Sequence, residues 1–320
     1  MVWRDPEVLT IGGKSIARGE HQTIRLEFAR LPTGTVIDTR VHVFRGPRPG
    51  PVVYMQGGLH GDEIGGVEIL RRMLLQRRFA PEAGSIIVVP ILNVFGFIHF
   101  SRDVPDGKDI NRSFPGHRRG SLAGRVAFQV SEYLVPIIHC GIDFHTGGGR
   151  RDNYPQVRYT RESPKGAELA HAFAAPFIKP TKMIPKSFRR ACHDADVPII
   201  VYEAGESLGI CERAVGEGID GALRVLAHLG LQPHAPHAPV APRVLGESKW
   251  LRAPRAGLFH PTVDNGSPVE KGEIVGILGD AYGGREKPIL AHRDGWVICV
   301  NRLPIVNQGD ALVHIGISGD

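Results

Sequence analysis

Val52-Val-Tyr-Met-Gln-Gly57-Gly58 runs an apolar stretch straight into paired glycines, and Ile64, Val67, Leu70 and Leu74 then recur at helical spacing. A short apolar run without polar alternation reads as a strand buried on both faces, and the change to a helical period marks a strand–loop–helix unit. Working outward, the same alternation repeats. Ser85-Ile-Ile-Val-Val-Pro-Ile-Leu92, Gly141-Ile-Asp-Phe144 and Val197-Pro-Ile-Ile-Val-Tyr202 read as further buried strands. Residues 64–78, 121–134, 164–173 and 212–229 read as helices, while 23–30 and 35–44 alternate like strands of a half-exposed sheet. Buried strands alternating with helices predict an α/β domain with a mostly parallel or mixed sheet. Ligands of such sheets sit beyond the carboxyl ends of the strands.

Composition narrows the class. Of 320 residues 42% are hydrophobic and 22% charged, and no apolar run reaches the roughly 18 residues that a membrane span needs. Met1-Val-Trp-Arg-Asp-Pro-Glu7 lacks the basic start and apolar stretch of a secretory leader. Cys140, Cys192, Cys211 and Cys299 are scattered without a CxxC pair, which reads as reduced thiols in a cytoplasmic protein. The net charge of +6 is gathered in no tail or basic helix, and aromatics are only 7%, so nucleic acid is not an expected partner. Arginines stand in adjacent pairs at 71–72, 77–78, 118–119, 150–151 and 189–190. The first two pairs read as solvated helix faces. The last three lie near the motifs below and could draw an acidic substrate inward.

Gln232-Pro-His-Ala-Pro-His-Ala-Pro-Val-Ala-Pro-Arg243 repeats proline every third residue and predicts a stiff, extended linker. The expected division is an N-terminal β segment (1–44), a catalytic domain (45–231), the linker (232–243) and a C-terminal β domain (244–320). The last part carries an internal repeat. Ala253-Pro-Arg-Ala-Gly257 returns as Ala291-His-Arg-Asp-Gly295, and Val269-Glu-Lys-Gly272 as Val306-Asn-Gln-Gly309. Two such units suggest a small all-β domain that resembles the biotinyl/lipoyl-like barrel-sandwich. Lys287 lies nearest the lysine those carriers modify, but in an unlike Arg-Glu-Lys-Pro context, so the domain reads as structural or substrate-shaping.

Four clusters carry chemistry. In Gly57-Gly-Leu-His60-Gly-Asp-Glu63 a histidine and a glutamate three apart leave a strand together. In Gly141-Ile-Asp143-Phe-His145-Thr-Gly-Gly-Gly149 a strand delivers a histidine into a glycine loop, with Asp143 on the same side to orient it. Each alone has an ordinary reading, as surface chemistry or a hydrogen-bonded core histidine. Together they supply two imidazoles and one carboxylate, the ligand set of several catalytic zinc sites. Between Ser101 and Gly116 lie Arg102, suited to a developing oxyanion, and Asn111 with Arg112, suited to gripping a carboxylate. An arginine buried beside a metal is costly unless an anion meets it, so Arg112 argues for a carboxylate substrate. Finally Val201-Tyr-Glu203-Ala-Gly205 ends a buried strand with a potential general base.

In this order, His60-x-x-Glu63, Asp109-Ile-Asn111-Arg112, Asp143-Phe-His145 and Glu203-Ala-Gly resemble the motifs of the succinylglutamate desuccinylase/aspartoacylase family, a branch of the zinc carboxypeptidase superfamily. The likeness spans roughly residues 45–230. It implies a zinc-carboxypeptidase-like mixed α/β sheet flanked by helices, with one Zn(2+) per chain on His60, Glu63 and His145. It also implies that Glu203 moves a proton from water to the leaving nitrogen, that Arg102 polarises the scissile carbonyl, and that Asn111 and Arg112 anchor a carboxylate. The expected activity is zinc-dependent hydrolysis of the amide of an N-acyl amino acid. The alternative is a metallocarboxypeptidase removing acidic residues from a peptide end, which an open mouth would favour. A zinc-binding scaffold without catalysis is a third reading, opposed by the presence of Glu203. The family's substrate-closing tyrosine and second recognition arginine have only Tyr282, Arg189 and Arg190 as candidates here.

Overall fold

The computed structural model describes residues 5–30 and 32–319. A hairpin of β1 (Val8–Ile11) and β2 (Lys14–Ala17) precedes β3 (His21–Arg30), β4 (Val36–Arg45), β5 (Arg48–Gln56), α1 (Ile64–Leu75), β6 (Ala83–Val89) and α2 (Val94–His99). Next come α3 (Leu122–Tyr133), β7 (Cys140–Gly147), β8 (Arg151–Thr160), α4 (Pro164–Phe173), β9 (Phe177–Thr181), α5 (Phe188–Asp194), β10 (Ile199–Glu206) and α6 (Glu212–His228). The remaining strands are β11 (Arg243–Arg252), β12 (Gly257–Pro261), β13 (Pro268–Val269), β14 (Ile274–Gly279), β15 (Glu286–Leu290), β16 (Gly295–Asn301), β17 (Ile305–Val306) and β18 (Ala311–Ser318). Each helix expected from periodicity is present. The pattern did not reveal β8, β9 or the short α2 and α5.

One mixed sheet organises the molecule, in the order β13-β16-β18-β11-β9-β8-β10-β7-β5-β6-β4-β3. Its centre, β10-β7-β5-β6, is parallel. The apolar runs exist because both faces of this centre are covered. Val52 and Tyr54 of β5 pack on one side with α3 and with Phe188 of α5, while Val53 and Met55 pack on the other with α1, α4 and α6. Three of these helices begin at serines that cap them. Ser121, Ser163 and Ser187 each accept a hydrogen bond from the backbone N–H three residues on. Close packing also fixes the first turn of α1, since a Cβ on Gly66 would come within 2.6 Å of the Phe144 carbonyl oxygen. Glycine there lets α1 lie directly on β7.

The residues beyond the proline-rich stretch share this sheet. β11, β16 and β18 extend it past β9, and β16 pairs back onto β8, so β8-β9-β11-β18-β16 close a five-stranded ring. β13 pairs at the edge of β16, and the other strands of this part form an antiparallel sheet ordered β15-β14-β12-β17. The internal repeat has a structural counterpart. Gly272 donates its N–H to the Ala291 carbonyl at 2.8 Å and Gly309 donates to the Ala253 carbonyl at 2.8 Å. Both glycines hold positive φ, 88° and 90°, so each copy's turn clasps the start of the other. Among the described residues no helix is long and apolar enough to cross a membrane.

Candidate functional site

The carboxyl ends of β5, β7 and β10 bring the motifs together. His60 and Glu63 lie in the loop from β5 to α1, and His145 is near the end of β7, with Glu203 beside it in register on β10. His60, Glu63 and His145 are all buried, and their candidate ligand atoms lie within 4.8 Å of one another. His60 Nδ1 is 2.8 Å from Glu63 Oε1, and His145 Nδ1 is 2.7 Å from Glu63 Oε2. The Thr146 N–H also donates to Glu63 Oε2, at 3.1 Å.

A supporting chain fixes the orientation. His145 Nε2 meets Asp143 Oδ2 at 2.9 Å, Asp143 Oδ1 accepts from Gln56 Nε2 at 2.9 Å, and Gln56 Oε1 accepts from the Tyr54 hydroxyl at 2.8 Å. A carboxylate at Nε2 keeps the ring proton there and leaves the Nδ1 lone pair facing Glu63. Two acceptors so close need either a cation or a proton between them. Two imidazole nitrogens and a bidentate carboxylate thus fit a divalent ion, and without one they must take up protons. Burial by itself pushes both imidazoles toward neutrality. The Glu63 charge, with Asp109 at His60 and Asp143 at His145, outweighs it and raises both above the usual histidine range. Glu63, against its own burial, is held well below the carboxylate range by the two imidazoles.

Arg102 stands over this group. It donates to Asp109 Oδ2 from Nε and Nη2 at 3.2 and 2.9 Å, and its Nη1 is 3.2 Å from His60 Nδ1 and 3.5 Å from Glu63 Oε1. Asp109 also takes the Asn111 N–H at 2.7 Å, which sets the short helical turn Ile110–Arg112. Asn111 Oδ1 accepts from the Phe188 N–H at 2.9 Å, leaving its amide nitrogen for the cavity. Arg112 departs from the expectation of burial. Its side chain is 44% exposed and donates to the Asn111 carbonyl, because the turn ends at the rim.

Glu203 is held by two donors, Arg158 Nη1 to Oε1 and Asn153 Nδ2 to Oε2, both at 2.9 Å. Both come from β8, which the sequence pattern missed. They line a cavity of about 340 Å³ together with Glu203, the His60–Glu63–His145 group, Asp143, Arg102, Asn111 and Arg112.

The far side of that cavity is cationic. Lys179 of β9 makes no hydrogen bond or ion pair with any described residue, and burial together with the neighbouring Arg158 charge lowers its ammonium to about 8. Arg189, 8% exposed, donates only to neutral oxygens, Thr181 Oγ1 at 2.9 Å and the Lys182 carbonyl at 3.0 Å. Burial first, then Arg158, brings it down to about 10. His314 of β18, stacked on Trp250 with ring centroids 4.4 Å apart, is lowered to about 2 by burial and by Lys179 and Arg158, so it is neutral. Of the paired arginines, Arg151 and Arg189 line the cavity. Arg190 instead pairs with Asp194 at 2.8 Å, and Tyr282 is 98% exposed.

A buried His–Glu–His group at the carboxyl edge of a mixed α/β sheet, under a cation-lined cavity, marks the class: an α/β protein with a candidate metal-ligand set. The succinylglutamate desuccinylase/aspartoacylase catalytic domain matches residues 49–229. An N-alpha-acetyl-L-2,4-diaminobutyric acid deacetylase from Halomonas elongata is 30% identical, over 83% of this chain and 82% of its own length. The chain belongs to the succinylglutamate desuccinylase/aspartoacylase family. The fold is shared with a succinylglutamate desuccinylase/aspartoacylase from Rhodobacter sphaeroides (TM-score 0.84, 27% identity, covering 94% of this chain and 97% of that one). It is shared also with the product-bound ectoine utilization protein EutE (DoeB) from Ruegeria pomeroyi (TM-score 0.81, 23% identity, covering 93% and 95%).

Proposed function

We propose that this chain hydrolyses the amide bond of a small, carboxylate-bearing N-acyl amino acid, with one zinc ion held by His60, Glu63 and His145. The observation that carries the reading is the pair of imidazole Nδ1 atoms aimed at the two oxygens of Glu63. Zinc bound there would lower the pKa of a water to about 7 and polarise the amide carbonyl. Asp143 keeps His145 in the ligating tautomer. Arg102 directs a guanidinium at the carbonyl oxygen as negative charge develops on it. Glu203 accepts a proton from the attacking water and returns it to the departing nitrogen. The water oxygen joins the carbonyl carbon, the C–N bond breaks, and a carboxylate and an amine leave.

Asn111 and Arg112 anchor the substrate carboxylate at the rim. Cations drawn out of water call for an anion, and in this cavity they are the buried Arg189 and the half-buried Lys179 rather than Arg112. The name of the Halomonas relative supports an acetyl group as one acyl candidate. Trp250, Cys299 and His314, from strands beyond the proline-rich stretch, wall part of the cavity, which favours a small substrate over a peptide end. Four free cysteines, three of them buried, support a reducing, cytoplasmic setting. The test is a screen of zinc-loaded protein against N-acetyl and N-succinyl amino acids and short glutamyl or aspartyl peptides, reading released amine. Cleavage of peptides alone would overturn the small-substrate reading, and full activity without bound metal would overturn the site.

A further inference from the structure

Glu203 occupies a position on β10 that β8 brackets. In the antiparallel register Val201 faces Arg158, Glu203 faces Gln156 and Gly205 faces Asn153, with a bulge between Glu203 and Gly205. Arg158 and Asn153 therefore flank the carboxylate on the same face, and each takes one of its oxygens. With both oxygens bonded, the carboxylate keeps one orientation rather than swinging about its side-chain torsions.

The donors are themselves held. Gln156 Oε1 accepts from Arg158 Nε at 3.3 Å, and Gln156 Nε2 donates to the Ile298 carbonyl at 3.2 Å. Ile298 belongs to β16, which also pairs with β8 so that Cys299 faces Asn153. Two more residues from beyond the proline-rich stretch tighten the start of β8. Asn265 donates to the Asp152 carbonyl at 2.8 Å, and Arg302 pairs with the Asp152 carboxylate at 2.9 Å. A continuous set of bonds thus runs from the C-terminal strands through Gln156 and Arg158 to Glu203.

We infer that Arg158 and Asn153 are positioning residues for Glu203, and that strand β16 holds them in place from beyond the proline-rich stretch. The inference rests on Glu203 being the base proposed above. It gives the C-terminal residues a share in the chemistry as well as in shaping the cavity. Arg158 acts through Glu203, so its loss should reduce turnover rather than substrate affinity.

The test uses the full-length, zinc-loaded protein and the best substrate of the screen, with zinc content and Tm measured for every variant. R158M should lower kcat about 100-fold, as expected when a base is misaligned, with KM within about 3-fold of wild type. R158K should recover part of that loss, and N153A should lower kcat about 10-fold. In the E203Q background R158M should cost nothing further, since residues acting as one unit are not additive. E203Q reads the base on its own: wild-type turnover there removes the base and the clamp together. If E203Q lowers turnover as expected, the clamp alone falls on any of three results: R158M and N153A both near wild type, R158M raising KM with kcat intact, or R158M lowering the residual E203Q turnover by its full single-variant factor. Should R158M fail to fold, R158K and N153A carry the same comparison.

Discussion

On the side of β5 and β7 every charge in the cavity has an opposite beside it. Glu63 meets two imidazoles, Asp143 backs one of them, and Asp109 lies between Arg102 and the other. On the side of β9 and α5, Lys179 and Arg189 have no carboxylate partner among the described residues, and a neutral His314 stands close to them. Arg189 and His314 are buried and Lys179 is half-buried, so solvent alone does not make the contrast. The first side is self-sufficient except for a cation at its centre. The second stays short of negative charge until something brings it. Together they fit the proposed site, in which a metal ion would sit at one wall and an anionic group at the other.

Experiments can break that contrast at either wall. The largest effect belongs to the metal side. H145A should lose tight zinc binding and fall below about 1% of wild-type activity, checked by metal analysis beside turnover. Retained zinc with retained activity would remove the centre from this group. E203Q comes next. A misplaced or absent base costs about 10²- to 10⁴-fold, so kcat should drop in that range while zinc stoichiometry stays at one per chain.

At the cationic wall, K179M should raise KM about 10-fold with kcat nearly unchanged, because it removes binding that is uniform along the reaction. The sign of its pH dependence follows from a value near 8. The ammonium is charged below that pH and lost above it, so KM for an anionic substrate should climb as pH passes 8. K179R should flatten the climb, and an equally steep rise in that variant would assign the effect to another group.

The smallest effect sharpens the metal side. Without metal, His60 and His145 have folded values above the ordinary 6.5. Their contribution is then fully present below that pH and is lost as pH rises through the raised values. Zinc needs both rings deprotonated, so the loaded protein should gain stability over the same window. Tm against pH, with and without zinc, should show opposite slopes on the alkaline side of neutrality. Parallel slopes would mean that the imidazoles do not sense the metal.

How legible each wall was in the sequence follows from how it is built. The metal side comes from short loops next to apolar strands, so His60, Glu63, His145 and Glu203 each stand within a few residues of a pattern that fixes their place. The opposite wall comes from strands whose own pattern is broken by their role. β8 carries Asn153 and Arg158 toward the cavity, with Pro155 and a buried Gln156 between them, and such a run does not read as a strand. β9 has only five residues, Lys179 and Pro180 included. His314 and Trp250 reach the site through register between β11 and β18, far along the chain, which no local window contains. The proline-rich stretch suggested separation, yet the strands after it extend the sheet before it. The repeat was visible because each copy needs a glycine at positive φ, and that need is local.

The five-stranded ring also bears on how the chain tolerates shortening. β18 lies between β11 and β16, and its residues Ala311–Gly316 are all buried. Deleting it would uncover two unpaired strand edges at once, one of them the buried, apolar β16, which is the template on which chains add to one another. A protein cut before Ala311 should therefore reveal itself first by self-association, before any assay of its chemistry could be run.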